Sequence, residues 1–196
     1  MKRLKMLGLA AITALVPFAL VGVTTASATT LFTDSAKTIK YPKGTTIHAT
    51  LASETSTPLT SGSTTITTCT GSTIHGTAGN ETGGRVSIAI GSFTWEGCSQ
   101  TTHTLANGSF EIEYTSGANG KVFGKGSQWT QGIFGTSCAY GTGEGTELGT
   151  ISGGVSPHIT ITANIARTAG GFLCPATATW HATYVVTSPH ELHIGA

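Results

Sequence analysis

Ala178-Thr179-Trp180-His181-Ala182-Thr183-Tyr184-Val185-Val186 carries the longest alternating pattern in the chain. Ala178, Trp180, Ala182, Tyr184 and Val186 fall on one side, with Thr179, His181 and Thr183 on the other. A period of two is that of an extended strand with one face in a core and the other in water. The pattern recurs upstream. Ile159, Ile161, Ala163 and Ile165 alternate with Thr160, Thr162 and Asn164, and Phe110, Ile112 and Tyr114 alternate with Glu111 and Glu113. Ile47, Ala49 and Leu51 share a face opposite Thr46, His48 and Thr50. Val86, Ile88 and Ile90 form a further apolar face, but Phe93 and Trp95 continue it at the opposite parity, so a bulge or bend is expected at Gly91.

No segment after residue 28 repeats its apolar residues at helical spacing. Turn signals such as Gly83-Gly84, Asn107-Gly108, Asn119-Gly120, Gly153-Gly154 and Gly170-Gly171 separate the runs. Threonine supplies 35 of the 168 residues from Thr29 onward, and its stiff β-branched side chain suits a pleated surface better than a helix. Roughly eight to ten short strands are expected, in an all-β, antiparallel two-sheet β-sandwich with Greek-key links of Ig-like or jelly-roll-like kind. A partly closed β-barrel is the alternative. Gly141 to Gly149 reads as an exposed connection.

The first 28 residues read differently. Lys2, Arg3 and Lys5 precede an apolar stretch from Met6 to Val23, and Ala26-Ser27-Ala28 gives the small-x-small pattern of signal-peptide cleavage. Residues 1–28 are therefore expected to be a cleaved signal, leaving residues 29–196 as one exported domain with no membrane segment. From Thr29 onward seven cations face nine carboxylates, a net of −2 at pH 7, and the cations are scattered. Nucleic-acid binding needs a concentrated basic face, which excludes that partner class.

Cys69, Cys98, Cys138 and Cys174 are the only cysteines. Four cysteines allow three pairings. Because sequential strands usually lie together, Cys69–Cys98 and Cys138–Cys174 is the favoured set. A zinc cluster would need closely spaced thiolate pairs, and the chain has no C-x-x-C.

Several motifs form a wider pattern: Cys69-Thr-Gly-Ser-Thr73, Phe93-Thr-Trp-Glu-Gly-Cys98, Phe134-Gly-Thr-Ser-Cys-Ala-Tyr-Gly141 and Leu148-Gly-Thr-Ile-Ser-Gly-Gly154. Phe172-Leu-Cys-Pro175, Trp180-His-Ala-Thr-Tyr184 and Val186-Thr-Ser-Pro189 complete it. In this combination the chain resembles a group of secreted, four-cysteine, β-rich bacterial proteins of unknown function, frequent in actinobacteria. The resemblance implies an exported β domain with paired cysteines and brings no activity with it.

Chemistry is sparse. Asp34 is the sole aspartate and no G-x-S-x-G elbow exists, so a hydrolytic triad is not expected. Glu111 and Glu113 lie opposite an apolar face and read as solvated rather than as a glycosidase pair. His48, His75, His103, His158, His181, His190 and His193 are dispersed and read as surface residues, with no metal or cofactor expected. Thr-x-Thr triplets follow no fixed period, so they do not read as an ordered hydroxyl ladder. Trp95, Trp129, Trp180, Tyr140 and Phe134 are candidates for sugar stacking. Trp95 and Trp180 share the core parity, which leaves Trp129, in the irregular segment 125–134, as the candidate for a ligand groove. The expected function is that of a non-catalytic surface, matrix or interaction domain that contacts envelope components or itself. The alternative is a module for a carbohydrate or small ligand, and a secreted hydrolase stands last.

Overall fold

Alternating threonines and aliphatic residues hold the backbone extended over most of the chain. The computed structural model describes residues 28–133 and 135–196, and among them there are sixteen strands and no helix. Residues 1–27 of the expected signal and the sugar-stacking candidate Phe134 lie outside the described residues. In chain order the strands are β1 (Thr30–Phe32), β2 (Thr46–Leu51), β3 (Thr57–Ser61), β4 (Thr64–Cys69), β5 (Gly71–Thr82), β6 (Arg85–Glu96), β7 (Thr102–Ala106) and β8 (Ser109–Ser116). There follow β9 (Asn119–Lys125), β10 (Gln128–Ile133), β11 (Thr136–Gly141), β12 (Thr146–Ser152), β13 (Gly154–Val155), β14 (His158–Ala169), β15 (Thr177–Ser188) and β16 (Glu191–Gly195).

Eight of these close on themselves in the order β15-β2-β5-β6-β8-β9-β12-β14, with β14 pairing back onto β15 from His158↔Val185 to Ala166↔Thr177. Every pairing in the ring is antiparallel. The expected two-sheet sandwich therefore does not form, and the barrel alternative does. The physical reason is the long β14–β15 ladder, which joins the two ends of the ring and removes both edges. Alternation alone does not separate the two architectures, because each has one inward and one outward face.

Eight strands enclose a space just wide enough for side chains to fill. Here Ile47, Ala49, Ile74, Ile88, Ile112, Val122, Ile151, Ile159 and Val186 point inward and leave an apolar cavity of about 30 Å³. Outward positions carry threonine, histidine and charged residues. One end is plugged by a three-stranded sheet, β1-β16-β13, whose Leu31 and Leu192 reach the cavity. Beside it Thr29 is buried, donates its hydroxyl to Gly84 O and accepts the Tyr114 N–H at 2.8 Å.

Strands β5, β6, β14 and β15 are twelve residues each, the longest among the described residues. Their far ends build an upper storey. Thr179–Trp180 of β15 pair with β3, which carries β4, and Ala166–Ala169 of β14 pair with β11, which carries β10 and β7. The expected bulge at Gly91 is present: His75 pairs with Ser92 and the next residue, Gly76, with Ile90. It turns Phe93 and Trp95 into the upper storey, where Phe93 meets Trp95, Trp129, Trp180 and Tyr184 at ring-centroid distances of 4.6, 5.5, 5.8 and 6.3 Å.

Candidate functional site

Both disulfides sit in this upper storey with the favoured pairing, Cys69–Cys98 and Cys138–Cys174. Among the described residues no cysteine is free. Two disulfides suit folding in an oxidising, extracytoplasmic compartment.

Trp129, expected in an irregular segment, lies in β10 and is only 2 % exposed. Its ring packs against Trp180 at 5.1 Å and Trp95 at 5.9 Å. Among the described residues, its Nε1 and the Oε1 of Gln131 meet no protein partner. They border an internal space of about 10 Å³, at the lower limit for a single water. Trp129 is thus a buried member of the aromatic cluster, not a residue of an irregular segment. Tyr140 is fully buried and donates its hydroxyl to Pro175 O at 3.1 Å, and Trp180 is buried as well. Burial pushes the Tyr140 phenol above its ordinary value, against a smaller lowering by the Arg167 charge.

Glu111 and Glu113 project from the outer face of β8, as expected. Arg85 pairs with both, at 3.4 and 2.8 Å, and its guanidinium also lies 3.5 Å from the centroid of Phe123. Lys121–Glu147 and Lys125–Glu144 extend this charged belt across β9 towards β12. Each carboxylate in the belt faces a cation, and Arg85, Glu111 and Glu113 border an open cleft of about 540 Å³ that Thr29 and Tyr114 also line. The expected exposed connection over 141–149 is shorter than the sequence implies: Gly141 ends β11, Thr146 begins β12, and Thr142 is buried, accepting the Ser127 N–H at 3.0 Å.

The feature that departs from ordinary surface lies between β14 and β15. Phe172 is 93 % exposed and its neighbour Leu173 is 47 % exposed. Large apolar side chains in contact with water mark interaction sites when they cluster. The backbone beneath them is fixed. Cys174 is tied to Cys138 by the disulfide, and its N–H donates to Gly171 O at 3.1 Å. Arg167 donates to Gly171 O at 2.9 Å and to Cys174 O, while the Arg167 N–H donates to Ala176 O at 2.9 Å. Gly170 adopts φ +125°, and a Cβ there would fall 2.5 Å from the Cys174 sulfur, so only glycine fits. The tip is thus clamped while its two largest side chains point away from the core. Beside it runs a groove of about 330 Å³, with Ile66, Ile133, Leu173 and Pro175 on its apolar side and Thr64, Thr65 and Gln100 on its polar side.

The sequence reading missed this tip. Phe172-Leu-Cys-Pro175 stood only as a motif around a cysteine; that Phe172 follows the glycine pair rather than a strand was the available signal. Compared with protein-family models, curated proteins and solved structures, the chain finds no match.

Proposed function

We propose that the protein is an exported, non-catalytic interaction domain that docks on an envelope or matrix component through the Phe172–Leu173 tip. The clamped exposure of Phe172 carries this reading. An anchor held rigid before binding loses little conformational entropy on docking, and aromatic side chains dominate binding energy when they enter a pocket. The signal-like residues 1–28, the paired cysteines and the likeness to secreted four-cysteine proteins support export.

Pelleting with isolated cell envelopes tests it. The wild-type protein is expected to sediment, and a Phe172→Ser, Leu173→Ser double variant to stay in the supernatant with an unchanged melting temperature. Equal sedimentation of the two would overturn the proposal.

A carbohydrate-binding role is the second reading, favoured by an exposed aromatic ring beside the groove bearing Thr64, Thr65 and Gln100. It requires soluble glycans to displace the protein from envelopes and Gln100→Ala to weaken that displacement. Displacement by protease treatment of the envelopes, but not by glycans, would favour a protein partner instead.

A further inference from the structure

His48 and His75 are 27 residues apart in sequence and directly opposite each other in the β2–β5 ladder. Their neighbours Ile47, Ala49, Ile74 and Gly76 line the barrel interior, so both imidazoles stand on the outer wall. The rings touch, with centroids 4.1 Å apart and planes at 82°. We propose that this pair is a surface chelate for a divalent transition-metal ion of the copper or zinc class.

The chemistry follows from the ligand type. Neutral imidazole is a borderline donor that suits Cu²⁺, Ni²⁺ and Zn²⁺ and does not suit Mg²⁺ or Ca²⁺. Metal–nitrogen bonds of about 2.0–2.1 Å at near-tetrahedral angles put two ligating ring centroids about 5 Å apart. The observed separation is about 1 Å less, a gap within reach of small side-chain rotations on a rigid ladder. Opposite residues of adjacent strands have Cβ atoms about 4.5–5.5 Å apart, so the backbone already holds the two donors at chelating range.

The surroundings are permissive. Thr46 and Thr50 flank His48 on its face of β2, and Thr73 and Thr77 flank His75 on β5. Ser92 of β6 and Ser188 of β15 are the next partners across the sheet. None of these six residues carries a charge, so no cation there repels a metal ion and no carboxylate ties up an imidazole. Among the described residues no set of three or more histidine, cysteine or acidic side chains comes together. The chelate is therefore two-coordinate from the protein, with water completing the shell, and copper is favoured over zinc by the Irving–Williams order.

Calorimetric titration of the purified protein with Cu²⁺ at neutral pH tests the site, alongside His48→Thr, His75→Thr and the exposed-histidine control His103→Thr. One equivalent is expected for the wild type and for His103→Thr, and its loss in either His48→Thr or His75→Thr. Electron paramagnetic resonance of the wild-type complex, which needs no variant to fold, is expected to show two coordinated nitrogens. Absence of uptake by the wild type, uptake unchanged in both ladder variants, or a single-nitrogen spectrum would overturn the assignment.

Discussion

Trp180 donates its indole N–H to the hydroxyl of Thr57 at 2.9 Å, a buried hydrogen bond that ties β15 to β3 across 123 residues of sequence. It sits where the upper storey leaves the barrel, and it satisfies the indole N–H of the largest side chain of β15. A buried indole N–H without an acceptor costs about 1–3 kcal/mol. Thr57→Val keeps the shape and removes the acceptor, so a loss of that size is expected in urea unfolding. Unchanged stability would show that the bond contributes nothing.

The disulfides close loops with sequence separations of 29 and 36 residues. Chain-entropy reasoning gives each a stabilisation of roughly 3.5–4 kcal/mol. Removing Cys138–Cys174 through the paired Cys→Ser variant is expected to cost about that much and also to release the Phe172 tip. Amide exchange at residues 170–176 is expected to rise more in this variant than in one lacking Cys69–Cys98. Equal exchange in both would place the clamp elsewhere.

Tyr184 is buried, and its hydroxyl donates to Ser72 Oγ at 2.9 Å while Ser72 in turn donates to Thr94 O. Burial pushes the phenol well above its ordinary value of 10, against a smaller lowering by the Ser72 hydrogen bond. The folded state therefore favours neutral tyrosine. That contribution is complete below pH 10 and is lost as pH rises towards the raised folded value. Tyr184→Phe is expected to cost about 1 kcal/mol at neutral pH, where one hydrogen bond is lost, with the difference shrinking above pH 10. Urea unfolding at both pH values measures this, and a constant difference would contradict it.

Asp34 behaves in the opposite sense. Its carboxylate accepts the Ile39 N–H at 2.9 Å and the Thr38 N–H and hydroxyl, and the Ile39 bond is the largest cause of a pKa below 3.8. The folded state favours the ionised acid, so this stabilisation is present above pH 3.8 and is lost as pH falls through the lowered value. The group lies at the surface, and the effect is expected to be small. Melting temperature below about pH 4 should fall more steeply for the wild type than for Asp34→Asn. Parallel curves would remove Asp34 as a contributor.

What the sequence could disclose depended on how local the determinant was. The faces of β2, β6, β8, β14 and β15 follow from period-two alternation, and the bulge at Gly91 follows from a parity change visible within ten residues. Closure into a barrel depends on β14 meeting β15 and on the stagger of eight strands, which alternation does not encode. Trp129, Gln131 and Ile133 do alternate, but the polar Gln131 interrupts the apolar pattern and made β10 read as irregular. His48 and His75 lie on different strands with no fixed spacing, so only the ladder register brings them together. Phe172 is distinguished by exposure, which a sequence does not print.

Hydroxyl-radical footprinting of Phe172, with the protein free and then bound to isolated envelopes, measures the docking surface itself. Protection of Phe172 on binding, with Leu105 on the edge strand β7 still oxidised, is the result that a docking tip requires. Equal oxidation of Phe172 in the free and bound states would contradict it.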